Sequence, residues 1–310
     1  MVRAAFLGTP AVAVPVLRAL ASACTVEAVF CNPDKPQGRG RHLEAPPVKQ
    51  AAESLGLQVH QPATWKLPET RALWESLQAD LAIVVAYGHI LPGWMLDSCP
   101  LGAWNLHFSI LPRWRGAAPV NHAILAGDAE TGVSLMAVTR GLDAGPVLAM
   151  SRRPIGLGDT AEGLLAALAE DAAALLLAHL PFLLEGTART VPQDDALATL
   201  APKLGREMSR LDWTRTALAL HRQVRGLLPW PGVDLPVGGT SLKVCGVGAM
   251  VPSDLPPGTL RWDRKGAWLS AGDGRSLELT HLQRPGKPVQ PSPQALQPWG
   301  ASGTFDLARG

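Results

Sequence analysis

Three polar side chains near the middle of the chain could act together on a carbonyl group. Asn105 and His107 lie two apart in the apolar run 103–107, so on a strand both side chains would leave the same face. Asp143 follows the next apolar run, inside a glycine-rich segment. An amide can stabilise an oxyanion, an imidazole can move a proton, and a carboxylate can hold the imidazole in place. The set therefore predicts acyl transfer without a covalent nucleophile.

Each of the three residues also has an ordinary structural interpretation. Asn105 could cap a turn, His107 could be a buried core histidine, and Asp143 could simply belong to the turn before Gly145. The shared strand face favours catalysis, with Asn105 donating a hydrogen bond to the carbonyl oxygen as it becomes an oxyanion. His107 would either donate to that oxygen or accept the proton of an attacking amine, and both roles stay open. Asp143 would hydrogen-bond to His107 and relay a proton through water.

The first part of the chain alternates between two hydrophobic periodicities. Short apolar runs rich in β-branched residues predict strands, and amphipathic runs between them predict helices. The predicted strands span residues 4–8, 26–31, 81–86, 103–107 and 133–138, and the predicted helices span 11–23, 47–55, 69–77 and 117–126. This alternation indicates a Rossmann-like α/β domain, a mostly parallel sheet with helices on both faces. Ligands of such folds bind at the carboxyl ends of the strands, where Asn105 and His107 fall.

The last third of the chain has a different organisation. A long helical pattern opens near Asp159 and ends near Gly186, and the polar residues after it lack periodicity. Short strand-like runs separated by Gly and Pro follow at residues 240–247, 258–262, 266–271 and 276–282, which indicates a small β-barrel. We therefore expect a catalytic domain over residues 1–188, a linker over 189–205 and a small β-rich domain over 206–310.

Composition places the chain among globular proteins. Hydrophobic residues make up 47% and charged residues 17% of its 310 residues, which excludes a disordered chain. The longest uncharged apolar stretch, residues 172–184, is too short to cross a bilayer and contains Pro181. The first strand begins too early to leave room for a targeting segment. The four cysteines form no Cys-x-x-Cys pair and have no metal-ligand spacing, so we expect structural thiols, no metal and a cytoplasmic location.

The net charge of +2 conceals an uneven distribution. Residues 1–202 carry 14 basic and 18 acidic side chains, a net charge of −4, whereas residues 203–310 carry 14 basic and 8 acidic side chains, a net charge of +6. This balance favours a polyanionic partner for the last third. In the first part, Lys35, Arg39 and Arg41 lie in a Gly- and Pro-rich segment. That segment could be an ordinary surface loop, but its three charges suit a loop that folds around phosphates.

The residues around His107 resemble a known signature. Residues 105–112 are similar to the Asn-x-His-x-Ser-Leu-Leu-Pro pattern of the 10-formyltetrahydrofolate-dependent formyltransferases, with Phe108 in place of a small residue and Ile110 in place of the first Leu. Residues 113–119 and 126–132 narrow the resemblance to the members that formylate initiator tRNA, and similar blocks run from residue 8 to residue 232. Because Phe108 alternates with His107, it should point away from the reactive face and alter packing rather than chemistry.

The resemblance implies a reaction, two substrates and their contacts. The formyl group of 10-formyltetrahydrofolate would pass to the α-amino group of methionine esterified to initiator tRNA, with Asn105, His107 and Asp143 as the catalytic set and without a metal. The second domain would be an OB-like barrel that binds tRNA, and we expect a monomer that acts away from membranes. The folate wall would comprise Ser109, Ile110, Leu111 and Pro112. The tRNA contacts would comprise Lys35, Arg39, Arg41, Arg113 and Arg115.

Two other functions compete with this one. A formyltransferase that acts on an amino-sugar nucleotide would share Asn105, His107 and Asp143, but the basic segment at 35–41 and the basic last third favour tRNA. A tRNA-binding protein that has lost catalysis would not be expected to keep all three side chains. Formyl transfer to aminoacylated initiator tRNA and to UDP-amino sugars, assayed with one donor, would discriminate among the three functions.

Overall fold

The computed structural model describes residues 2–37 and 42–307, which form two compact units. The first unit comprises Met1–Pro119, Glu130–Pro154 and Leu165–Ala201. The second unit comprises Val120–Ala129, Ile155–Leu164 and Pro202–Gly310. Each unit has its own sheet and its own hydrophobic core.

The first unit is built on a seven-stranded sheet with the order β10-β9-β7-β6-β1-β2-β5. The strands of this unit are β1 (Arg3–Gly8), β2 (Thr25–Phe30), β3 (Lys35–Gln37), β4 (His42–Glu44), β5 (Val59–His60), β6 (Leu81–Val85), β7 (Ala103–His107), β8 (Arg115–Gly116), β9 (Glu130–Ala137), β10 (Val147–Pro154) and β11 (Leu200–Ala201). The pairs from β7 to β5 are parallel. β9 runs antiparallel to both of its neighbours, β7 and β10. The predicted Rossmann-like, mostly parallel sheet is confirmed.

Burial explains which strands the sequence predicts. Every residue of β6 is buried, and so are five of the six residues of β1, because strands in the middle of a parallel sheet are covered on both faces. β10 was not predicted. It is one of the two edge strands and carries Ser151, Arg152 and Arg153, and charged residues are typical of sheet edges.

The described part of residues 1–201 contains six α-helices, five of which lie close to their predicted positions, while the short one at Gly93–Leu96 was not predicted. They are α1 (Val14–Ala23), α2 (Pro47–Ser54), α3 (Pro68–Leu77), α4 (Gly93–Leu96), α5 (Pro119–Ala126) and α6 (Ala161–Leu184). The predicted helix at 11–23 begins as a 3-10 turn, Ala11–Ala13, and becomes α-helical at Val14. Pro15 lies in the first turn of α1, where the N–H that proline lacks would have no partner within the helix.

α6 is the long helix predicted between Asp159 and Gly186. One side of it is buried and includes Leu164, Leu168 and Leu176. Within the described part of the chain, α6 alone is long and apolar enough to cross a membrane. In its most apolar stretch of 18 residues, 33% is buried. The core helix of a globular protein meets the same criteria.

The second unit contains an antiparallel sheet with the order β12-β13-β16-β15-β14-β18, and β17 pairs with β16. Its strands are β12 (Val233–Val237), β13 (Thr240–Pro252), β14 (Thr259–Trp262), β15 (Ala267–Ser270), β16 (Arg275–Gln283), β17 (Val289–Pro291) and β18 (Gly303–Asp306), and its further helices are α7 (Ala217–Leu227) and α8 (Ser292–Leu296). The register of β13 against β16 shifts between Val244 and Met250, and such irregularities bend and twist a strand. The sheet encloses a core that includes Leu220 and Leu242. The predicted small barrel domain is confirmed.

Candidate active site

Asn105 and His107 lie on β7, which occupies the sheet position between β6 and β9. Asn105 pairs with Met136 of β9, and His107 pairs with Ser134. In a regular strand their spacing of two places both side chains on one face. His107 is buried and 6% exposed, whereas Asn105 is partly exposed. The carboxyl end of a strand inside the sheet therefore carries an amide and an imidazole.

Both nitrogens of the His107 ring face hydrogen-bond acceptors. Nε2 lies 2.9 Å from the carbonyl oxygen of Trp114, and Nδ1 lies 3.7 Å from Oδ2 of Asp143. A carbonyl oxygen can only accept, so in the neutral ring Nε2 carries the proton and Nδ1 carries the lone pair. At 3.7 Å the Nδ1 contact is long for a hydrogen bond but suits an ion pair. A second proton on Nδ1 would give a charged ring held between a carbonyl and a carboxylate.

Asp143 lies in the loop after β9, and its backbone is left-handed with a φ of 45°. Few residues with a Cβ adopt this conformation, although Asp tolerates it better than most. Its Oδ2 accepts a hydrogen bond of 2.8 Å from the backbone N–H of Gly116. The structure therefore brings Asp143 to His107 from a separate part of the chain.

The segment that follows His107 is held by its own hydrogen bonds. The Ser109 hydroxyl donates to the carbonyl of Arg113 at 2.7 Å. The Ser134 hydroxyl accepts from the N–H of Leu111 at 3.1 Å and donates to the carbonyl of Ser109 at 2.7 Å. Ser109 is fully buried, so its side chain fixes the loop from inside.

The other residues of the predicted folate wall differ in their exposure. Leu111 packs with Met136 and Val147 in a small buried cluster. Ile110 and Pro112 are partly exposed. Within this wall, Ile110 and Pro112 have side-chain surface that a ligand can reach, while Leu111 anchors the loop to the sheet.

Arg113 and Arg115 occupy different environments. Arg113 is partly exposed, and its guanidinium lies 4.3 Å from the centroid of the Trp114 ring. Arg115 is buried and 8% exposed, and it donates to Oε1 of Gln193 and to Oδ1 of Asp195. These bonds use Nε and Nη2 of a guanidinium that has five N–H donors, so the predicted contact of Arg115 with a bound substrate stays a prediction.

The predicted tRNA loop has regular structure at its two ends. Lys35 is exposed on β3, which pairs with β4 in a short antiparallel ribbon. Arg39 and Arg41 lie outside the described residues. Next to Lys35, the carboxylate of Asp34 accepts a hydrogen bond of 2.8 Å from Lys49. That bond is the main reason why the pKa of Asp34 is lowered, and it ties the ribbon to α2.

Sequence reasoning missed the contribution of residues 189–201, which we call the return segment. It makes up most of the predicted linker, and in the structure it lies in the first unit. β11 in this segment pairs with β8, and Oγ1 of Thr199 accepts from the N–H of Trp114 at 2.9 Å. Gln193 reaches the Asp143 loop. These contacts are made by polar side chains and backbone groups, so hydrophobic periodicity in the sequence could not predict them.

A metal centre needs several His, Cys, Asp or Glu side chains close together. Among residues 2–37 and 42–307, no group of three or more His, Cys, Asp or Glu side chains is placed to hold a metal ion. The four cysteines are free thiols. Burial raises the pKa of Cys31 and of Cys99 to about 11, so neither is a thiolate at neutral pH.

Comparison with known proteins gives a consistent result over both units. Residues 2–180 match the family described as formyl transferase, and residues 203–297 match the formyl transferase C-terminal domain. A methionyl-tRNA formyltransferase of Sorangium cellulosum is 42% identical over 92% of this chain and 93% of its own length. One of Halorhodospira halophila is 46% identical over 92% of both chains.

Solved structures share the fold at lower identity. The N-formyltransferase of Helicobacter canadensis, in complex with folinic acid and dTDP-3-aminofucose, aligns with a TM-score of 0.68. That alignment covers 92% of this chain and 100% of the other at 17% identity.

Proposed function

The chain belongs to the formyl transferase family, and from that premise we propose that it transfers a formyl group from 10-formyltetrahydrofolate to the α-amino group of methionyl initiator tRNA. The observation that carries the proposal is the similarity, over nine-tenths of the chain, to methionyl-tRNA formyltransferases. The product is N-formylmethionyl-tRNA, which serves translation initiation. The folinic acid held by a structure of the same fold supports a folate donor.

The proposed catalytic set meets the needs of formyl transfer. The neutral amine attacks the formyl carbon, and the electrons of the carbonyl bond move to its oxygen. Asn105 donates a hydrogen bond to the oxyanion that forms. The intermediate then collapses, and the folate nitrogen leaves with a proton. Holding the amine about 3 to 3.5 Å from the formyl carbon supplies much of the rate.

Nδ1 of His107 is the proposed proton carrier. Nε2 is committed to the carbonyl of Trp114, which favours the proton-accepting role among the two that the sequence leaves open. Nδ1 takes the amine proton, directly or through water, and the Asp143 carboxylate stabilises the resulting imidazolium. The N–H of Gly116 holds that carboxylate in place.

The donor site is assigned to the loop from Ser109 to Pro112. The residues of this loop have two different roles according to their burial. Ile110 and Pro112 are partly exposed and can line a slot for the pterin. Ser109 and Leu111 are buried and hold the backbone of the loop in place. Backbone groups of the loop then meet the polar edge of the pterin.

The tRNA contacts are assigned to Lys35, Arg39, Arg41 and Arg113. For Arg115 we infer a positioning role, because its guanidinium is buried and bound inside the first unit. Trypsin should cut the free protein near the basic residues of the loop, and bound tRNA should protect them, because a side chain that contacts a phosphate is shielded from the protease. Equal cleavage with and without tRNA would leave an ordinary surface loop.

The function is tested with one donor and two acceptors. With 10-formyltetrahydrofolate, we expect formylation of methionyl initiator tRNA and none of dTDP-3-aminofucose or UDP-amino sugars. Transfer to an amino-sugar nucleotide instead would establish the alternative, and binding of tRNA without transfer to any acceptor would indicate a binding protein. Asn105→Ala is the inactive control for background formylation.

The same proposal includes the organisation of the chain. Residues 1–188 would carry catalysis, residues 189–205 would link, and residues 206–310, with most of the basic excess, would bind tRNA. We expect a cytoplasmic protein that is a monomer. Sedimentation of the purified protein with and without tRNA would test the monomeric state.

A further inference from the structure

The return segment approaches the catalytic loops through one inward-facing amide. Most of its residues are exposed, but Gln193 is partly buried. Val191 exchanges two backbone hydrogen bonds of 2.8 Å with Val147. Further along, the carbonyl of Thr199 accepts a 2.8 Å bond from the N–H of Arg115. Gln193 therefore lies between two anchored points of the segment.

All the hydrogen-bonding positions of the Gln193 amide are used. Nε2 donates to the carbonyl of Asp143 at 2.8 Å and to the carbonyl of Gly145 at 2.7 Å. Oε1 accepts from Nε of Arg115 at 3.0 Å and from Nη2 of the same guanidinium at 2.8 Å. A primary amide offers two N–H donors and two oxygen lone pairs. The group therefore has no position left for a substrate, and it joins two loops.

These bonds close a ring that contains Asp143. Gln193 holds the Asp143 carbonyl on one side and Arg115 on the other. The residue after Arg115 is Gly116, whose N–H holds the Asp143 carboxylate. A left-handed backbone at a residue with a Cβ costs about 1 to 3 kcal/mol and persists only where its surroundings enforce it. The Gln193 amide supplies part of that enforcement.

We propose that Gln193 is a positioning residue for formyl transfer, which fixes the Asp143 carboxylate against the His107 ring. This inference rests on the catalytic role proposed for Asp143. The carboxylate lies 3.7 Å from Nδ1 of His107, and a displacement of about 1 Å in a catalytic group can lower a rate by about a hundredfold. Because the Gln193 amide has no free position for either substrate, its loss should act on kcat rather than on KM.

Gln193→Met is the direct test, since it keeps the length of the side chain and removes all four hydrogen bonds. We expect kcat to fall about ten- to a hundredfold, with KM for methionyl initiator tRNA and for the donor within about twofold of the parent. In an Asp143→Asn background, Gln193→Met should lower kcat by less than about twofold, because no carboxylate is left to position.

Two further variants separate positioning from loss of stability. Gln223 in the second unit donates to the carbonyls of Met208 and Arg210, each at 2.8 Å. Gln223→Met therefore loses the same kind of bonds outside the catalytic unit and should leave kcat within about twofold at saturating substrate. Gln193→Glu keeps an oxygen for Arg115 but has no N–H for the two carbonyls, so it should also lower kcat and replaces Gln193→Met if that protein does not fold.

Each contrary result has a defined meaning. A folded Gln193→Met or Gln193→Glu enzyme with kcat within about twofold of the parent overturns the inference. So does a loss that is equally large in the Asp143→Asn background, or one that Gln223→Met matches. If Asp143→Asn alone keeps full activity, the catalytic role proposed for Asp143 fails first, and the role of Gln193 fails with it.

Discussion

Replacing the Asp143 carboxylate by an amide tests the ion pair at the centre of the site. Asn has nearly the same shape as Asp, and its oxygen can still accept the 2.8 Å bond from Gly116. The Asp143→Asn variant therefore removes one negative charge 3.7 Å from Nδ1 of His107 and keeps the loop anchored.

The distance and the burial set the size of the effect. For unit charges at this separation, the Coulomb energy is about 1 kcal/mol in water and about 4 kcal/mol at an effective dielectric constant of about 20. The two side chains are only 7% and 15% exposed, so the interaction lies above the water limit. Since about 1.4 kcal/mol corresponds to a tenfold rate change, kcat should fall between about tenfold and a thousandfold. Affinity for tRNA should stay unchanged, because the charge acts once the ring is protonated.

The assay is single-turnover formylation of methionyl initiator tRNA with enzyme in excess and donor at saturation. Asp97→Asn is the matched control, since it removes the same charge from the first unit at a side chain that is 75% exposed. Its rate should equal that of the parent. An Asp143→Asn rate within about threefold of the parent, in a folded protein, would refute the reasoning from charge.

Further variants test the amide, the barrel surface and the pH dependence of stability. Asn105→Ala and His107→Ala should each lower kcat at least about a hundredfold with little change in tRNA binding, and near-normal turnover of His107→Ala would remove it from the catalytic set. Changing the exposed Arg264 and Lys265 to Gln should flatten the slope of log affinity for tRNA against log salt by about 0.7 to 0.9 per phosphate contact; an unchanged slope excludes them. Burial, and then neighbouring arginines, lower the pKa of His221 to about 4, so the unfolded chain takes up a proton first as pH falls. The free energy of unfolding should therefore drop by up to about 3 kcal/mol between about pH 6.5 and 4, and denaturant titrations should show a weaker pH dependence for His221→Gln.

The sequence predicts the strands and helices that are stabilised by burial of apolar side chains. β7 matches its predicted bounds because four of its five residues are buried, and most of the other strands of the first sheet are predicted for the same reason. The edge strand β10 was not predicted, because only its first residue, Val147, is buried and polar residues interrupt its apolar pattern. The helix predicted from residue 11 starts three residues later, since the turn at Ala11–Ala13 winds as 3-10.

The sequence likewise predicts only part of the candidate site. Spacing alone predicts that Asn105 and His107 share a strand face, and a turn signal points to Asp143. The partners that orient these groups could not be predicted, because the carbonyl of Trp114 and the N–H of Gly116 are backbone groups without a residue signature. Gln193 lies in a polar stretch whose composition gives no indication of what it contacts.

The second unit is assembled from three separated stretches, which has a consequence for how the chain is made. A ribosome releases Val120–Ala129 and Ile155–Leu164 well before the residues they belong with. Asn121 in the first stretch donates to the carbonyl of Gly226 at 2.7 Å, and the buried Arg225 guanidinium donates to carbonyls of the second. Neither stretch can make these contacts until α7 has been synthesised. A protein fragment that contains only the C-terminal stretch would bury the Arg225 guanidinium without those carbonyl acceptors. We therefore expect the second unit to fold only when the two earlier stretches are present.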